Sequence, residues 1–137
     1  MSDDAYNPAT ATNSDRMQTA EAHVARRLNI PAAQLVNSMG PDAAPFVRRA
    51  VEWEFADVAE QSSLDVRTQE IVAITTLATL GQTAAPVLAM RIQSAMRAGL
   101  SRKEIVDVFA QMALGTGLPM ALAATKVAIE AFDMVSE

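Results

Sequence analysis

Apolar residues recur three and four positions apart along most of the chain, and no segment alternates apolar and polar residues as a half-buried strand would. The predicted helix between Asp65 and Gly81 has the widest apolar face. Every residue after Glu70 and before Gly81 is aliphatic, alanine or threonine. A helix that is apolar nearly all round is expected to be buried. The pattern therefore predicts an all-α fold.

The predicted helices are separated by short breaks that contain capping residues, proline or glycine. The first runs from a cap at Asn13 or Ser14 to Leu28, a short one follows Pro31 and closes at Gly40, the third is capped by Asp42, and the fourth runs from a cap at Asp65 to a left-handed stop at Gly81. The others begin at Thr83, at a Ser101–Glu104 capping box and at Pro119, the last ending near Val135. The third helix carries a predicted buried stripe of Val47, Val51, Phe55 and Val58.

The length of 137 residues suits a single domain. Residues 1–13 are rich in Asn, Asp, Ala and Thr and are predicted to be a disordered tail, which leaves residues 14–137 as one all-helical domain. Two helices of this domain are almost uniformly apolar, and so small a chain cannot surround both. We therefore predict an obligate homo-oligomer whose interface continues the core.

Charge and composition exclude several classes of function. The net charge of −5 argues against nucleic acid and membrane surfaces as partners. No apolar run is long enough to span a bilayer, and the polar N-terminus lacks a signal peptide, which predicts a cytoplasmic protein. The absence of cysteine excludes thiol chemistry and thiolate metal sites. The single histidine, His23, is interpreted as a surface residue, so we expect no metal site and no cofactor.

Glu70 is the most informative polar residue because its helix is otherwise apolar. Ile74 and Leu77 lie on the same side of the helix, and Arg67 lies one turn earlier. A buried carboxylate must be paired, protonated or used in chemistry. One interpretation is an ion pair between Glu70 and Arg67, and the other is a general acid or base that faces a cavity.

Arg91 lies among small residues on the following helix. It could extend past the helix edge to water or bridge subunits. It could also bind a substrate carboxylate or stabilise an enolate, because a guanidinium presents several fixed donors. Trp53, on the third helix, is interpreted either as packing or as a lid over substrate. The predicted site contains Glu70 and Arg91 as catalytic residues, with Arg67, Trp53 and Met90 as substrate-binding residues.

The segment from Leu64 to Phe132 resembles the carboxymuconolactone decarboxylase family, whose relatives include alkylhydroperoxidase D. The resemblance rests on the arginine-threonine-x-glutamate start at Arg67–Glu70, on "AGLSRKEIVDV", and on the glycine-x-proline turn before the last helix. It implies an alkylhydroperoxidase D-like helical protomer, assembled as trimers or hexamers, with sites near subunit contacts.

The sequence departs from that family at two chemically important places. The CxxC pair of the peroxidase branch is missing, which excludes peroxidase activity. Where the decarboxylase branch carries a histidine-isoleucine step as acid or base, this chain reads Arg91-Ile92, and arginine does not exchange protons near neutral pH. Glu70 carries over from the family pattern.

Two functions are compatible with these residues. The first is a cofactor-independent lyase, isomerase or cyclase that acts on a small carbonyl, enol or lactone compound, with altered chemistry suited to a specialised biosynthetic or catabolic step. The alternative is a non-catalytic helical oligomer that binds a small molecule or a partner protein.

Overall fold

A computed structural model of the chain describes residues 6–134, and every regular element within this range is a helix. The all-α prediction is confirmed. The chain divides into two compact units, Met1–Ser63 and Leu64–Glu137, which are called the first and second units below. The single domain over residues 14–137 stays a prediction. Among the described residues, no helix is both long enough and apolar enough to cross a membrane.

In the described part of the first unit, residues 6–63, there are five consecutive helical elements. They are α1 (Asn13–Leu28), α2 (Ala32–Val36), α3 (Ala44–Val51), a π-helix (Glu52–Val58) and α4 (Ala59–Gln61). α1 packs against the π-helix, and α2 packs against α3. Val24 of α1 and Phe55 of the π-helix are among the buried residues of this unit.

The π-helix changes which residues of the third predicted helix are buried. Val47, Val51 and Phe55 are buried as predicted, but Val58 is 48% exposed and that part of the prediction is wrong. A π-helix bonds residue i to i+5 and so rotates later residues away from the 3.6-residue period. Ala59 is buried one position further along.

Two predicted helix starts in the first unit are also wrong. α1 is capped by Thr12, whose hydroxyl accepts from the Asp15 amide while the Asp15 carboxylate accepts from the Thr12 amide, and not by Asn13 or Ser14. α3 has Ala43 at its N-cap position and no side-chain cap, so Asp42 does not cap it. At the start of α1 several polar residues stand side by side, and sequence spacing does not select among neighbours.

The first residues of the chain were predicted to be disordered up to residue 13. Residues 1–5 of that tail lie outside the described residues. The amides of Thr10 and Ala11 donate to the Asn7 carbonyl, and the Tyr6 hydroxyl donates to Asp57. The disorder of residues 1–13 stays a prediction, and these contacts provide a way to test it.

Between residues 64 and 134, the second unit contains four α-helices and one short 3₁₀-helix. They are α5 (Val66–Ala78), the 3₁₀-helix (Gly81–Ala84), α6 (Ala85–Arg97), α7 (Arg102–Thr116) and α8 (Leu118–Asp133). The caps at Asp65 and at Ser101–Glu104 are confirmed, whereas α6 begins after the 3₁₀-helix and not at Thr83. The predicted end of the last helix near Val135 lies outside the described residues.

The core of the second unit holds α5 and α6 together, the two helices that carry Glu70 and Arg91. Ile74 of α5 and Ile92 of α6 are fully buried in one core with Ile105 and Phe109 of α7. α5 packs against α6, and α6 packs against α8. This packing places the predicted catalytic residues of α5 and α6 on facing helices.

Candidate functional site

Glu70, Arg91 and Ser94 form one group of side chains between α5 and α6, called the Glu70 cluster below. Ser94 Oγ donates to Glu70 Oε1 at 2.8 Å, and Arg91 Nη2 lies 3.4 Å from the same oxygen. Arg91 and Ser94 are three residues apart, so both point from one side of α6. The structure therefore brings the two predicted catalytic residues together.

The Glu70 cluster is buried. Glu70 and Ser94 have no exposed surface, and Arg91 is 5% exposed. Taking a carboxylate and a guanidinium out of water is costly, so each of the two charges requires the other. The Ser94 contact has the length of an ordinary hydrogen bond, whereas 3.4 Å is long for one. The contact between Glu70 and Arg91 is therefore held mainly by charge attraction, which is strong away from water.

This arrangement combines a proton acceptor with a fixed positive charge. The Glu70 carboxylate can accept a proton from a substrate carbon or hydroxyl group. A guanidinium has five N–H donors, so Arg91 can contact Glu70 and a substrate oxyanion at the same time. Proton transfer next to a developing enolate requires these two functions side by side.

Arg67 is part of a different ion pair from the one considered in the sequence. Its Nη2 donates to Glu104 Oε1 of α7 at 2.6 Å, and both side chains are 45% exposed. The Ser101 backbone amide and then the Arg67 guanidinium hold the pKa of Glu104 below its ordinary range. Arg67 thus links the start of α5 to the start of α7, and the interpretation as an ion pair with Glu70 is wrong. A contact of Arg67 with substrate stays a prediction.

The other two predicted substrate-binding residues lie in different surroundings. Met90 is half-buried beside Arg91 on α6. Trp53 lies on the π-helix of the first unit and is 64% exposed, so it is not a core residue there. A contact of either residue with substrate stays a prediction.

His23 is buried, and its interpretation as a surface residue is wrong. It is 6% exposed, and its Nε2 lies 2.5 Å from Glu60 Oε2 within the first unit. It follows Ala20 by three positions on the face of α1 that is buried, which explains its burial. Among residues 6–134, no three His, Asp or Glu side chains are grouped as metal ligands would be.

Ser94 is the member of the Glu70 cluster that was not predicted. A signal was present in the sequence, because Ser94 stands on the same helix stripe as Arg91 and next to Ala95, and a polar residue in a buried stripe needs a partner. Its partner lies on another helix, 24 residues earlier in the chain. Spacing within one helix could not identify that partner.

Comparison with known proteins decides the family. The model of the carboxymuconolactone decarboxylase family matches residues 44–130, well over half of the chain. The chain belongs to the carboxymuconolactone decarboxylase family. The predicted resemblance is thereby confirmed, and the match includes the whole Glu70 cluster. The family includes decarboxylases and related enzymes, and its proteins are often oligomeric.

One relative of this carboxymuconolactone decarboxylase family member comes from Paracoccus denitrificans and is described as an "Uncharacterized 15.0 kDa protein in nqo9-nqo10 intergenic region". It is 30% identical over 78 residues, which cover 57% of this chain and 58% of the relative. The chain thus spans less than two thirds of the length of that relative.

Proposed function

We propose that the protein is a cofactor-independent enzyme of the lyase or isomerase type that acts on a small carbonyl, enol or lactone compound. The observation that supports the proposal best is the contact between the buried Glu70 carboxylate and Arg91, in a family that includes decarboxylases. The working form is a homo-oligomer, a trimer or a hexamer.

In the proposed reaction, Glu70 transfers the proton, and Arg91 stabilises the negative charge that develops on the substrate oxygen. Glu70 removes a proton from the carbon beside a carbonyl group, the electron pair of the C–H bond forms a C=C bond, and the π pair of the carbonyl group moves to its oxygen. Arg91 stabilises the resulting enolate oxygen. In a substrate with a neighbouring C=C bond the enolate is conjugated, and protonated Glu70 returns the proton to the far carbon of that system. The double bond moves by this transfer, which completes an isomerisation.

Decarboxylation uses the same two residues, but Arg91 acts first and the proton transfer from Glu70 comes last. The bond to a substrate carboxylate breaks, CO₂ leaves, and the electron pair moves to the carbonyl oxygen, where Arg91 stabilises it. Protonated Glu70 then supplies the proton that replaces CO₂ on carbon, and the resulting carboxylate takes up one proton from water before the next turnover. In both reactions Arg91 remains charged, which fits a residue that cannot release a proton near neutral pH.

The test uses substrate proton exchange, because every version of the proposal passes through an enolate. Carboxymuconolactone, simple γ-lactones and 2-oxo acids are incubated with the protein in D₂O, and proton NMR follows deuterium incorporation and loss of CO₂. Glu70→Gln should lower the rate by roughly 10²–10⁴-fold. Arg91→Lys should also lower it, because a point charge does not replace a planar fork of donors.

A surface carboxylate provides the matched control. Asp107 pairs with Lys103 at 2.7 Å, and 55% of its side chain is exposed. Asp107→Asn removes one carboxylate from the second unit without reaching the core, so the exchange rate should not change. Circular dichroism of each variant ensures that rates are compared per folded molecule.

The alternative function, a non-catalytic oligomer, is favoured by one observation: Glu70 has no exposed surface. In that case the Glu70 cluster is only structural. Glu70→Gln should lower the free energy of unfolding by about 1–3 kcal/mol under either function, because Arg91 loses its counter-charge in the core. The exchange rate, and not the stability, therefore separates the two functions. A wild-type exchange rate in Glu70→Gln would decide for the alternative.

A further inference from the structure

Ser94 uses its hydroxyl differently from four threonines in the helices of the same unit. The hydroxyl groups of Thr75, Thr76, Thr116 and Thr125 each donate to the carbonyl four residues earlier in their own helix. That back-bonding is the usual choice for Ser and Thr inside helices. Ser94 instead donates across to Glu70 Oε1 on the facing helix.

Packing alone does not explain a serine at this position. Ser94 is fully buried next to Ala95 and close in sequence to Ile92, both also fully buried. An alanine would fill nearly the same space and is a better helix former. A buried hydroxyl is costly unless it is hydrogen-bonded, so its presence here is explained by the carboxylate that accepts from it.

Ser94 and Arg91 contact the same oxygen of Glu70 but differ in the length of the contact. Both donate to Glu70 Oε1, but the serine contact is 2.8 Å and the arginine contact is 3.4 Å. Two donors on one oxygen, fixed three residues apart on α6, restrict the rotation of the carboxylate. When a substrate oxyanion draws the Arg91 guanidinium towards itself, the Ser94 bond can keep the carboxylate in place.

We propose that Ser94 is the positioning residue of the site, which holds the Glu70 carboxylate in one orientation for proton transfer. The catalytic part of this proposal rests on the proposed function of Glu70. The orientation itself does not, because the contact exists without substrate. The two parts can therefore be tested separately.

The orientation is tested by infrared spectroscopy of the full-length protein without any ligand. The difference spectrum between the wild type and Glu70→Gln identifies the carboxylate bands of Glu70. Ser94→Ala should shift these bands because one hydrogen-bond donor is lost, whereas Ser94→Thr keeps a hydroxyl and should restore them in part. The matched control is Thr125→Ala, which removes a hydroxyl bonded within its own helix and should leave the Glu70 bands unchanged.

The catalytic part is tested by deuterium exchange into carboxymuconolactone and the simple γ-lactones. Ser94→Ala should lower kcat about tenfold, the change expected for one lost hydrogen bond. KM should change little, because Arg91 and not Ser94 contacts the anionic oxygen. Ser94→Thr should recover part of kcat, and Thr125→Ala should behave as the wild type.

The outcomes separate the two proposals. Unchanged Glu70 bands in Ser94→Ala would overturn the positioning role whatever the activity. A wild-type kcat in Ser94→Ala, together with a slow Glu70→Gln, would overturn its catalytic part. A wild-type protein inactive on every probe counts against the proposed function alone, and the infrared comparison still decides whether Ser94 orients Glu70.

Discussion

Tyr6 is the single tyrosine of the chain, and its surroundings shift its titration. Its hydroxyl donates to Asp57, and Arg16 Nε lies 3.4 Å from the same carboxylate. Burial, and then the hydrogen bond to Asp57, raise the pKa of Tyr6 to about 12. Because the folded-state pKa is above the ordinary value of 10.0, the contribution of Tyr6 to stability is complete below pH 10 and is lost as the pH rises towards 12.

We predict that the phenolate absorbance of the folded protein titrates near pH 12. Asp57→Asn should lower the titration midpoint of Tyr6 towards 10. The substitution removes the negative charge next to the phenol and leaves a weaker hydrogen-bond acceptor. Asp107→Asn is the control, and circular dichroism confirms folding at each pH. A wild-type midpoint near 10 would show that Tyr6 is not held against Asp57, as expected if residues 1–13 are disordered.

The sequence identified Glu70 as a buried polar residue, but it did not identify Ser94 as a partner of Glu70 or Glu104 as the partner of Arg67. Glu70 was identified because helical periodicity places it with Ile74 and Leu77, and its complete burial agrees with that interpretation. The partners could not be predicted in the same way, because Ser94, Arg91 and Glu104 lie on other helices than the residues that they contact. Contacts between helices depend on how the helices pack, which local spacing does not contain.

At the scale of helices, the start of α5 is fixed by one side chain. Asp65 accepts a hydrogen bond from the Thr68 amide at 2.7 Å, and this bond holds the pKa of Asp65 below its ordinary value of 3.8. Because the folded-state pKa is lowered, the stabilisation is complete above pH 3.8 and is lost as the pH falls through the lower folded-state pKa. The cap fixes the start of α5, and Glu70 lies in the second turn of that helix.

We predict that Asp65→Ala lowers the thermal midpoint at pH 7 and that its difference from the wild type shrinks below pH 3.8. Asp65→Asn is the matched control, because asparagine caps helices about as well but does not titrate. The difference between the Asn and Ala variants should therefore not depend on pH. Equal midpoints for the wild type and Asp65→Ala at pH 7 would contradict a role for this cap.

Helix starts were predicted correctly for α5 and α7 and wrongly for α1, α3 and α6. The caps at Asp65 and Ser101 have the pattern that sequence rules describe, and both were correct. The π-helix could not be foreseen, because its extra residue per turn has no composition of its own. Its effect is visible at Val58, which is exposed although the 3.6-residue period places it with Phe55.

At the scale of the whole molecule, α8 carries exposed apolar side chains along its outer face. Leu118, Leu122 and Ile129 lie within one narrow stripe of this helix, called the α8 stripe below, and are 62%, 59% and 51% exposed. Contiguous apolar surface of this kind usually marks an interface. Members of the family are often oligomeric, so another copy of this chain is the partner that we expect.

We predict that the protein forms a trimer or a hexamer through the α8 stripe. Light scattering on a sizing column should give three or six times the chain mass of 14.6 kDa. Leu122→Glu combined with Ile129→Glu should lower that mass, because two carboxylates would be buried without partners in the interface. Met39→Glu is the control, since Met39 is 73% exposed in the first unit and its change should leave the mass unaltered. A wild-type mass of 14.6 kDa at micromolar concentration would refute the oligomer. If the wild type is an oligomer and the double variant has the same mass, the α8 stripe is not its interface.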